Sequence, residues 1–157
     1  MNPYDTASVQ AVWQRVLRAE SAEKPTLAET LAERITDELT DHVTYLRLAR
    51  CAGRFAPIMQ RIARDEANHA AKLSTLYFLL TGCKSPACPG AVGKTETLCL
   101  AVRTRYAEEL KGAERYRAMA EENPEHTELF CRLAEEEREH ARRLYRIASE
   151  LPQQKIR

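Results

Sequence analysis

The sequence predicts an all-α protein, an antiparallel four-helix bundle built from two copies of one helical hairpin. Its composition favours helix, because 44% of the 157 residues are hydrophobic, only 6% are aromatic and just 5 are glycine, while alanine, leucine, glutamate and arginine are abundant. Residues 36–74 and 107–145 also match each other at a constant offset of 71 positions. A chain of this length forms one domain with a hydrophobic core of its own.

Four polar identities define the repeat. At the offset of 71 the matched pairs are Glu38/Glu109, Tyr45/Tyr116, Glu66/Glu137 and His69/His140. In each copy the glutamate of a Glu-x-x-His motif follows the first glutamate by 28 residues (66 − 38 and 137 − 109). Six further identities share this register. Chance similarity between two helices rich in alanine and glutamate does not readily give all four polar matches, so we interpret the halves as a duplication.

Residues 1–25 are predicted to form an N-terminal amphipathic helix and a linker, and residues 26–157 the bundle. The short helix is predicted from an apolar stripe at helical spacing, which consists of Val9, Val12, Trp13, Val16 and Leu17. This stripe packs either along the bundle or against a second copy of the protein, and we favour a homodimer.

Helix start and stop signals bound the first hairpin. Thr26, with a glutamate three residues later, forms a capping box that begins a long helix extending to about Cys51. Pro57 lies in the first turn of the next helix, which extends to about Leu80 and is ended by Gly82.

The second hairpin follows an irregular connection over residues 83–94, which contains two prolines and two glycines. Its helices are predicted from about Thr95 to Glu122 and, after a turn at Asn123 and Pro124, up to Pro152. When extended, a connection of about twelve residues spans about 40 Å. That length crosses the bundle from end to end, so we predict one long crossover.

The repeat predicts a polar layer in the middle of the bundle. Glu38 and Glu66 lie fourteen residues before and after the turn near Ala52 (52 − 38 and 66 − 52), so antiparallel helices place them at one height. The second copy has the same spacing about Asn123. At a rise of about 1.5 Å per residue, this height lies about 21 Å from each turn. Four carboxylates and two imidazoles are therefore expected to meet in the interior.

Such a layer is suited to two cations. The two residues of each Glu-x-x-His share a helix face, so one helix can offer a bridging carboxylate and an imidazole nitrogen to the same pair of metal ions. Four glutamates buried together without cations would cost several kcal/mol per charge unless they took up protons. One Glu from each of two helices, with one Glu-x-x-His from each of the others, is the arrangement of di-iron and di-manganese carboxylate bundles.

The segments ELTDHVTY and DEANHA, repeated as ELKGAERY and EEREHA, resemble rubrerythrin-type ferritin-like domains over residues 30–150 or so. The resemblance implies a ferritin-like bundle that binds two iron ions, with manganese or zinc as alternatives. The metal ligands that it implies are Glu38, Glu66, His69, Glu109, Glu137 and His140. It also makes Tyr45 and Tyr116 the active-site tyrosines that hydrogen-bond to ligand carboxylates.

Two features depart from the family pattern. Many rubrerythrins carry a further glutamate three residues after the third-helix ligand, where redox-dependent ligand switching occurs, whereas this position is Gly112 here. The mirror position on the first helix is Asp41, which suggests that a spare carboxylate has moved to the other half. Rubrerythrins proper also end in a cysteine-ligated iron module, which this sequence does not show, so the expected electron donor is a separate protein.

Charge and hydropathy argue against several other classes of function. The 24 basic and 23 acidic residues nearly cancel, so nothing favours a nucleic acid or a membrane as partner. No signal peptide or membrane span is evident, and we expect a cytoplasmic protein. The five cysteines form no Cys-x-x-Cys pair, which argues against a rubredoxin or zinc-ribbon module. Cys83 and Cys88 could form a disulfide or a thiol pair, although reduced thiols fit a cytoplasmic loop better.

Other histidines and charged residues are interpreted without a role in the chemistry. His42, four residues beyond Glu38, could approach the site, but we expect a partly exposed histidine. His126 is expected as a cap or surface residue near the second turn. The charged run from Glu135 to Arg143 is interpreted, outside its ligand motif, as a solvated face that includes Glu135, Glu136, Glu139 and the arginines.

Three functional hypotheses fit this pattern. In the first, the protein is an enzyme that binds two irons and reduces hydrogen peroxide or dioxygen, cycling between diferrous and diferric states. In the second, iron itself is the substrate and is oxidised for storage or delivery, in which case storage requires a large assembly. In the third, the bundle binds zinc or nothing and acts through its surface.

Overall fold

The computed structural model describes Gln10 and residues 25–93 and 97–151, which form four long helices and no strand. The helices are α1 (Leu27–Cys51), α2 (Ala56–Thr81), α3 (Leu98–Glu122) and α4 (Thr127–Glu150). Helices α1 and α2 pack together as one hairpin, and α3 and α4 pack as the other. The predicted all-α bundle of two hairpins is confirmed, while the predicted N-terminal helix lies outside the described residues.

The caps of the first hairpin are those that the sequence predicts. The Thr26 side chain accepts a hydrogen bond from the backbone N–H of Glu29, and the Glu29 carboxylate accepts one from the Thr26 backbone, which is the expected capping box. Pro57 lies in the first turn of α2. Gly82 ends α2 in the left-handed region at φ +70°, where a residue without a Cβ is favoured.

The second hairpin begins slightly later than its predicted start at about Thr95, a residue outside the described range. The side chain of Thr97 accepts a hydrogen bond from a backbone N–H in the first turn of α3 and so caps this helix. A short 3-10 turn, Pro124–His126, then connects α3 to α4. Helix α4 ends at Glu150, and the predicted stop at Pro152 is not among the described residues.

The described part of the crossover, residues 83–93, is irregular and lies against α1. The backbone N–H of Gly90 donates to Oγ1 of Thr40 at 2.7 Å. The guanidinium of Arg47 donates to the carbonyl oxygens of Val92 and Gly93, each at 3.1 Å. These contacts are two turns of α1 apart, so the connection runs along the bundle rather than around one end.

Two apolar clusters fill the bundle on either side of its middle. One contains buried residues from all four helices, including Leu31, Leu73, Met119 and Phe130. The other joins the first hairpin's turn to the open end of the second hairpin, and it includes Phe55, Met59, Val102 and Ile147. The turns of the two hairpins therefore lie at opposite ends of the bundle. Each fully buried Leu, Ile, Phe or Met contributes about 1.5–3 kcal/mol, and this burial supports the polar layer between the clusters.

Candidate metal centre

The structure brings all six predicted ligand side chains together in the polar layer. The most exposed of them, Glu38, is only 7% exposed, and His69 is fully buried. The six residues form two overlapping groups, and in each group one donor atom from every residue lies within 4.8 Å of the others. The first group contains Glu38, Glu66, His69 and Glu137, and the second contains Glu66, Glu109, Glu137 and His140.

Each imidazole directs its Nδ1 at three carboxylates. Nδ1 of His69 lies 3.1 Å from Glu66 and from Glu137 and 3.3 Å from Glu38. Nδ1 of His140 lies 3.1 Å from Glu66, 3.4 Å from Glu109 and 3.8 Å from Glu137. The two rings are 5.6 Å apart and inclined by 23°. The repeat therefore places two like sets of donor atoms side by side.

Glu66 and Glu137 belong to both sets because each divides its two oxygens between them. Oε2 of Glu66 faces His69, while Oε1 faces His140. Oε1 of Glu137 faces His69, while Oε2 faces His140. A carboxylate with one oxygen at each of two adjacent sites can bridge two metal ions.

Two buried atoms of this cluster test whether cations fit it. Oε1 of Glu66 and Nδ1 of His140 are buried and lie 3.1 Å from each other, yet among the described residues neither has a partner in hydrogen-bonding geometry. Leaving such a polar atom unsatisfied costs about 1–3 kcal/mol. A cation contacted by both atoms would satisfy them. Four carboxylates and two imidazoles are hard and borderline donors that suit iron, manganese or zinc, so the residues fit a pair of divalent cations.

Burial and mutual repulsion perturb the two shared carboxylates, Glu66 and Glu137, in the direction expected for a cation site. Burial raises the pKa of Glu66 to about 7, and the charges of Glu109 and Glu38 oppose its ionisation further. Burial also raises the pKa of Glu137 well above its usual range. Metal ligands must be deprotonated, so bound cations would displace these protons and replace them as the compensating charge.

A carboxylate from the opposite hairpin holds the outer nitrogen of each imidazole. Nε2 of His69 lies 2.8 Å from Glu136, and Nε2 of His140 lies 3.3 Å from Asp65. When each Nε2 carries the proton and donates it to this carboxylate, Nδ1 is left with a free lone pair for a cation. The hydrogen bond to His69 lowers the pKa of Glu136 to about 2, so this acceptor is ionised at neutral pH.

The interpretation of Glu136 as a solvated residue without a role is therefore wrong. Its carboxylate, although 39% exposed, reaches across the bundle to His69. The repeat contained the signal, because Asp65 and Glu136 are related by the same offset of 71 (136 − 65). Their chemical types agree, but their identities do not. For Glu135 and Glu139 the interpretation holds, since both pair with Arg142 at 2.7 Å on the exposed face of α4.

The two tyrosines connect the hairpins at the same level. Tyr45 donates its hydroxyl hydrogen to Oε1 of Glu109, and Tyr116 donates to Oε1 of Glu38. Both side chains are nearly inaccessible, at 0% and 2% exposure. Each bond fixes one oxygen of a carboxylate and leaves Oε2 facing the neighbouring imidazole.

The halves differ at the positions of Asp41 and Gly112. Asp41 pairs with the guanidinium of Arg105 and does not belong to either group of donor atoms. Burial raises the pKa of Asp41 to about 6, although Arg105 opposes this shift. A Cβ at Gly112 would lie 3.4 Å from Oε2 of Glu137, so the glycine borders the cluster directly. Arg105, whose guanidinium also contacts Glu109, was not predicted from the sequence.

Two openings approach the layer from opposite faces of the bundle. A cavity of about 230 Å³ between α1 and α3 is lined by Glu38, Glu109, Gly112 and Glu137, among others. A wider groove of about 570 Å³ between α2 and α4 is lined by polar residues that include Asp65 and Glu136. The cavity between α1 and α3 therefore reaches three candidate ligands, whereas the groove between α2 and α4 reaches one, His140.

Two other histidines and the loop cysteines lie apart from the cluster. Nδ1 of His42 is 2.6 Å from the carbonyl oxygen of Ala63, so this partly buried ring pairs with the backbone of α2. His126 lies near the second turn with its ring against Phe130. Cys83 and Cys88 are exposed and free, without the disulfide that the sequence left open.

The fold and the site together define a helical bundle whose buried carboxylate and imidazole cluster could bind metal. The family model described as Rubrerythrin matches residues 102–156, which confirms the resemblance of the sequence to that family. The matched segment contains Glu109, Tyr116, Glu137 and His140. Their counterparts in the first copy of the repeat, Glu38, Tyr45, Glu66 and His69, lie outside the matched segment. No curated protein and no solved structure gives a significant match.

None of the described helices combines the length and the apolar character needed to cross a bilayer.

Proposed function

We propose that this protein is a rubrerythrin-like di-iron or di-manganese oxidoreductase, which reduces hydrogen peroxide or dioxygen with electrons from a separate donor protein. The observation that carries the proposal is the division of the oxygens of Glu66 and Glu137 between two sets of donor atoms. Two redox-active ions held there would supply the two electrons that break an O–O bond.

Each ion would have its own terminal ligands beside the shared pair. Glu38 and His69 would hold one cation, and Glu109 and His140 the other. Two divalent cations balance the charges of the four carboxylates, which makes their burial tolerable. Carboxylates can also change how they bind as the charge of the metal changes, so this donor set suits iron and manganese in two oxidation states.

Other residues of the chain position these ligands and control access. The hydroxyl groups of Tyr45 and Tyr116 fix the terminal carboxylates, and Asp65 and Glu136 fix the tautomer of the imidazoles. The apolar clusters above and below restrict water. The cavity beside Gly112 is large enough for hydrogen peroxide or dioxygen to reach the ligand oxygens.

The electron and proton balance calls for a donor. Hydrogen peroxide, two electrons and two protons give two water molecules, so each turnover leaves the ion pair oxidised until two electrons are returned. We assign the supply of these two electrons to a separate redox protein. The wide groove over Asp65 and Glu136 supports this assignment, because the two carboxylates that accept hydrogen bonds from the imidazoles line the groove and are open to solvent there.

Anaerobic loading with iron(II), followed by hydrogen peroxide or by dioxygen, tests the proposal. We expect two irons per chain, an absorption band of an oxo-bridged ferric pair, and much faster oxidation by peroxide. The Glu66→Ala variant should lose both ions, whereas the Glu139→Ala variant, altered on the exposed face of α4, should retain them.

Other results would favour the alternative hypotheses. Faster reaction with dioxygen, together with a large assembly in size-exclusion chromatography, would support iron storage. A protein that binds no iron, and that melts no higher when iron is added, would support a structural role.

A further inference from the structure

The repeat gives the two candidate cation sites nearly equal surroundings. Each terminal carboxylate accepts a hydrogen bond from a tyrosine. Each imidazole has an acidic acceptor that is paired with a basic residue, Lys72 at 2.9 Å in one half and Arg143 at 3.2 Å in the other. These two basic residues are also related by the offset of 71 (143 − 72). The duplication therefore extends beyond the candidate ligands, and a departure from it distinguishes one site from the other.

Arg105 is such a departure. Its guanidinium Nη2 lies 3.3 Å from Oε1 of Glu109, and its Nε lies 3.4 Å from the hydroxyl of Tyr45. The same Nη2 pairs with Asp41. Arg105 is mostly buried, with 13% of its side chain exposed, so solvent screens its charge only weakly.

The equivalent residue in the first copy is Arg34 (105 − 71), and it makes different contacts. Arg34 forms ion pairs with Asp37 at 2.8 Å and with Glu33 at 3.9 Å. Among the described residues, Glu38 has no ion pair with an arginine. Only one of the two terminal carboxylates therefore shares its charge with a guanidinium.

We propose that Arg105 is a positioning residue that makes the two cation sites unequal, so that the site of Glu38 and His69 fills first and the site of Glu109 and His140 fills second. The proposal rests on the metal centre of the proposed function. A carboxylate that already donates electron density to a buried guanidinium offers less to a cation, and the positive charge of Arg105 also repels that cation. Asp41 compensates part of this charge.

The expected difference in affinity between the two cation sites follows from the usual effect of residues that bond to metal ligands. Mutation of a residue that bonds to a metal ligand typically costs about 10–100-fold in metal affinity, and we apply the same scale to Arg105, whose charge acts in the opposite direction. Because Asp41 offsets part of the charge on Arg105, we expect the lower end of this range. The second cation should bind about tenfold more weakly than the first.

Titration of the full-length, metal-depleted chain with cobalt(II) in a calorimeter tests this order without relying on turnover. The wild-type protein should show two binding steps. The His140→Gln variant, which weakens the second site, should retain the tight step. The His69→Gln variant should retain only the weak one. The reverse assignment would overturn the proposal.

Variants at Arg105 then separate its charge from a general structural role. The Arg105→Gln variant should bind the second cation about tenfold more tightly while the first binding step stays unchanged. Damage to the fold would instead weaken both binding steps. The Arg105→Lys variant, which keeps the charge, should resemble the wild type. The Arg34→Gln variant is the matched control from the other half and should also resemble the wild type.

Asp41 provides one more check, because Arg105→Gln also leaves this carboxylate without its cation. In the double variant Asp41→Asn/Arg105→Gln, the second step should remain tighter than in the wild type, whereas a return to the wild-type affinity would overturn the role of Arg105. Two equal steps in the wild type would overturn the inference alone. Absence of any cobalt binding would overturn the proposed metal centre as well.

Discussion

Glu136 on α4 accepts a hydrogen bond from Nε2 of His69 on α2, so a residue of one hairpin fixes an imidazole of the other. Its carboxylate also pairs with Lys72 at 2.9 Å. The mirror contact runs from His140 to Asp65. Each hairpin thus contributes both a histidine and the acceptor that orients the other histidine, and the polar layer is complete only when the two hairpins pack together.

Replacing Glu136 by Ala should weaken metal binding without removing a candidate ligand. The imidazole of His69 would lose the acceptor that fixes its tautomer, and loss of such an outer partner costs about 10–100-fold in metal affinity. Cobalt(II) titration measures the change. Glu135→Ala is the neighbouring control, because Glu135 pairs with Arg142 on the exposed face. Equal affinities in the two variants would show that the hydrogen bond to His69 has no effect on the site.

The number of bound ions should depend on which carboxylate is removed. Glu66 faces both imidazoles through different oxygens, so Glu66→Ala should abolish both sites. Glu38 belongs to one group of donor atoms, so Glu38→Ala should leave one ion bound. Metal analysis after dialysis measures this stoichiometry. The shared role of Glu66 is wrong if its variant keeps one ion as firmly as the Glu38 variant does.

Most of the polar layer could be predicted from the sequence because identical residues recur at one offset. The spacing of fourteen residues on either side of each turn then gives a common height through helix geometry, which places Glu38 and Glu109 on one level. Glu136 is not marked by an identity, because its counterpart in the first copy is an aspartate. The contact between Arg105 and Glu109 could not be predicted, since a long flexible side chain can reach several acceptors. Packing in the folded bundle selects among them.

Removing one tyrosine hydroxyl should destabilise the protein without unfolding it. In Tyr116→Phe, the buried Oε1 of Glu38 loses its donor, and an unsatisfied buried acceptor costs about 1–3 kcal/mol. Chemical denaturation of the metal-depleted protein measures the free energy of unfolding. Tyr77→Phe, in a partly buried residue packed against one apolar cluster, is a control that changes the same chemical group away from the site. A loss of stability no greater than in this control would contradict the role given to the bond.

Gly112 should govern access to the cluster, and two substitutions there should have different effects. A Cβ at this position meets Glu137 at 3.4 Å, which is an ordinary contact, and the backbone is helical. Gly112→Ala should therefore raise the free energy of unfolding by about 0.5–1 kcal/mol, because alanine loses less conformational entropy in a helix.

Gly112→Leu would instead extend into the cavity of about 230 Å³ that leads to Glu109 and Glu137. Both variants should still bind two ions, but the leucine variant should react with hydrogen peroxide more slowly after iron(II) loading, as measured by stopped-flow absorbance. If it reacts as fast as the alanine variant, the oxidant reaches the ions by another path, and the groove over Asp65 and Glu136 becomes the entrance to examine.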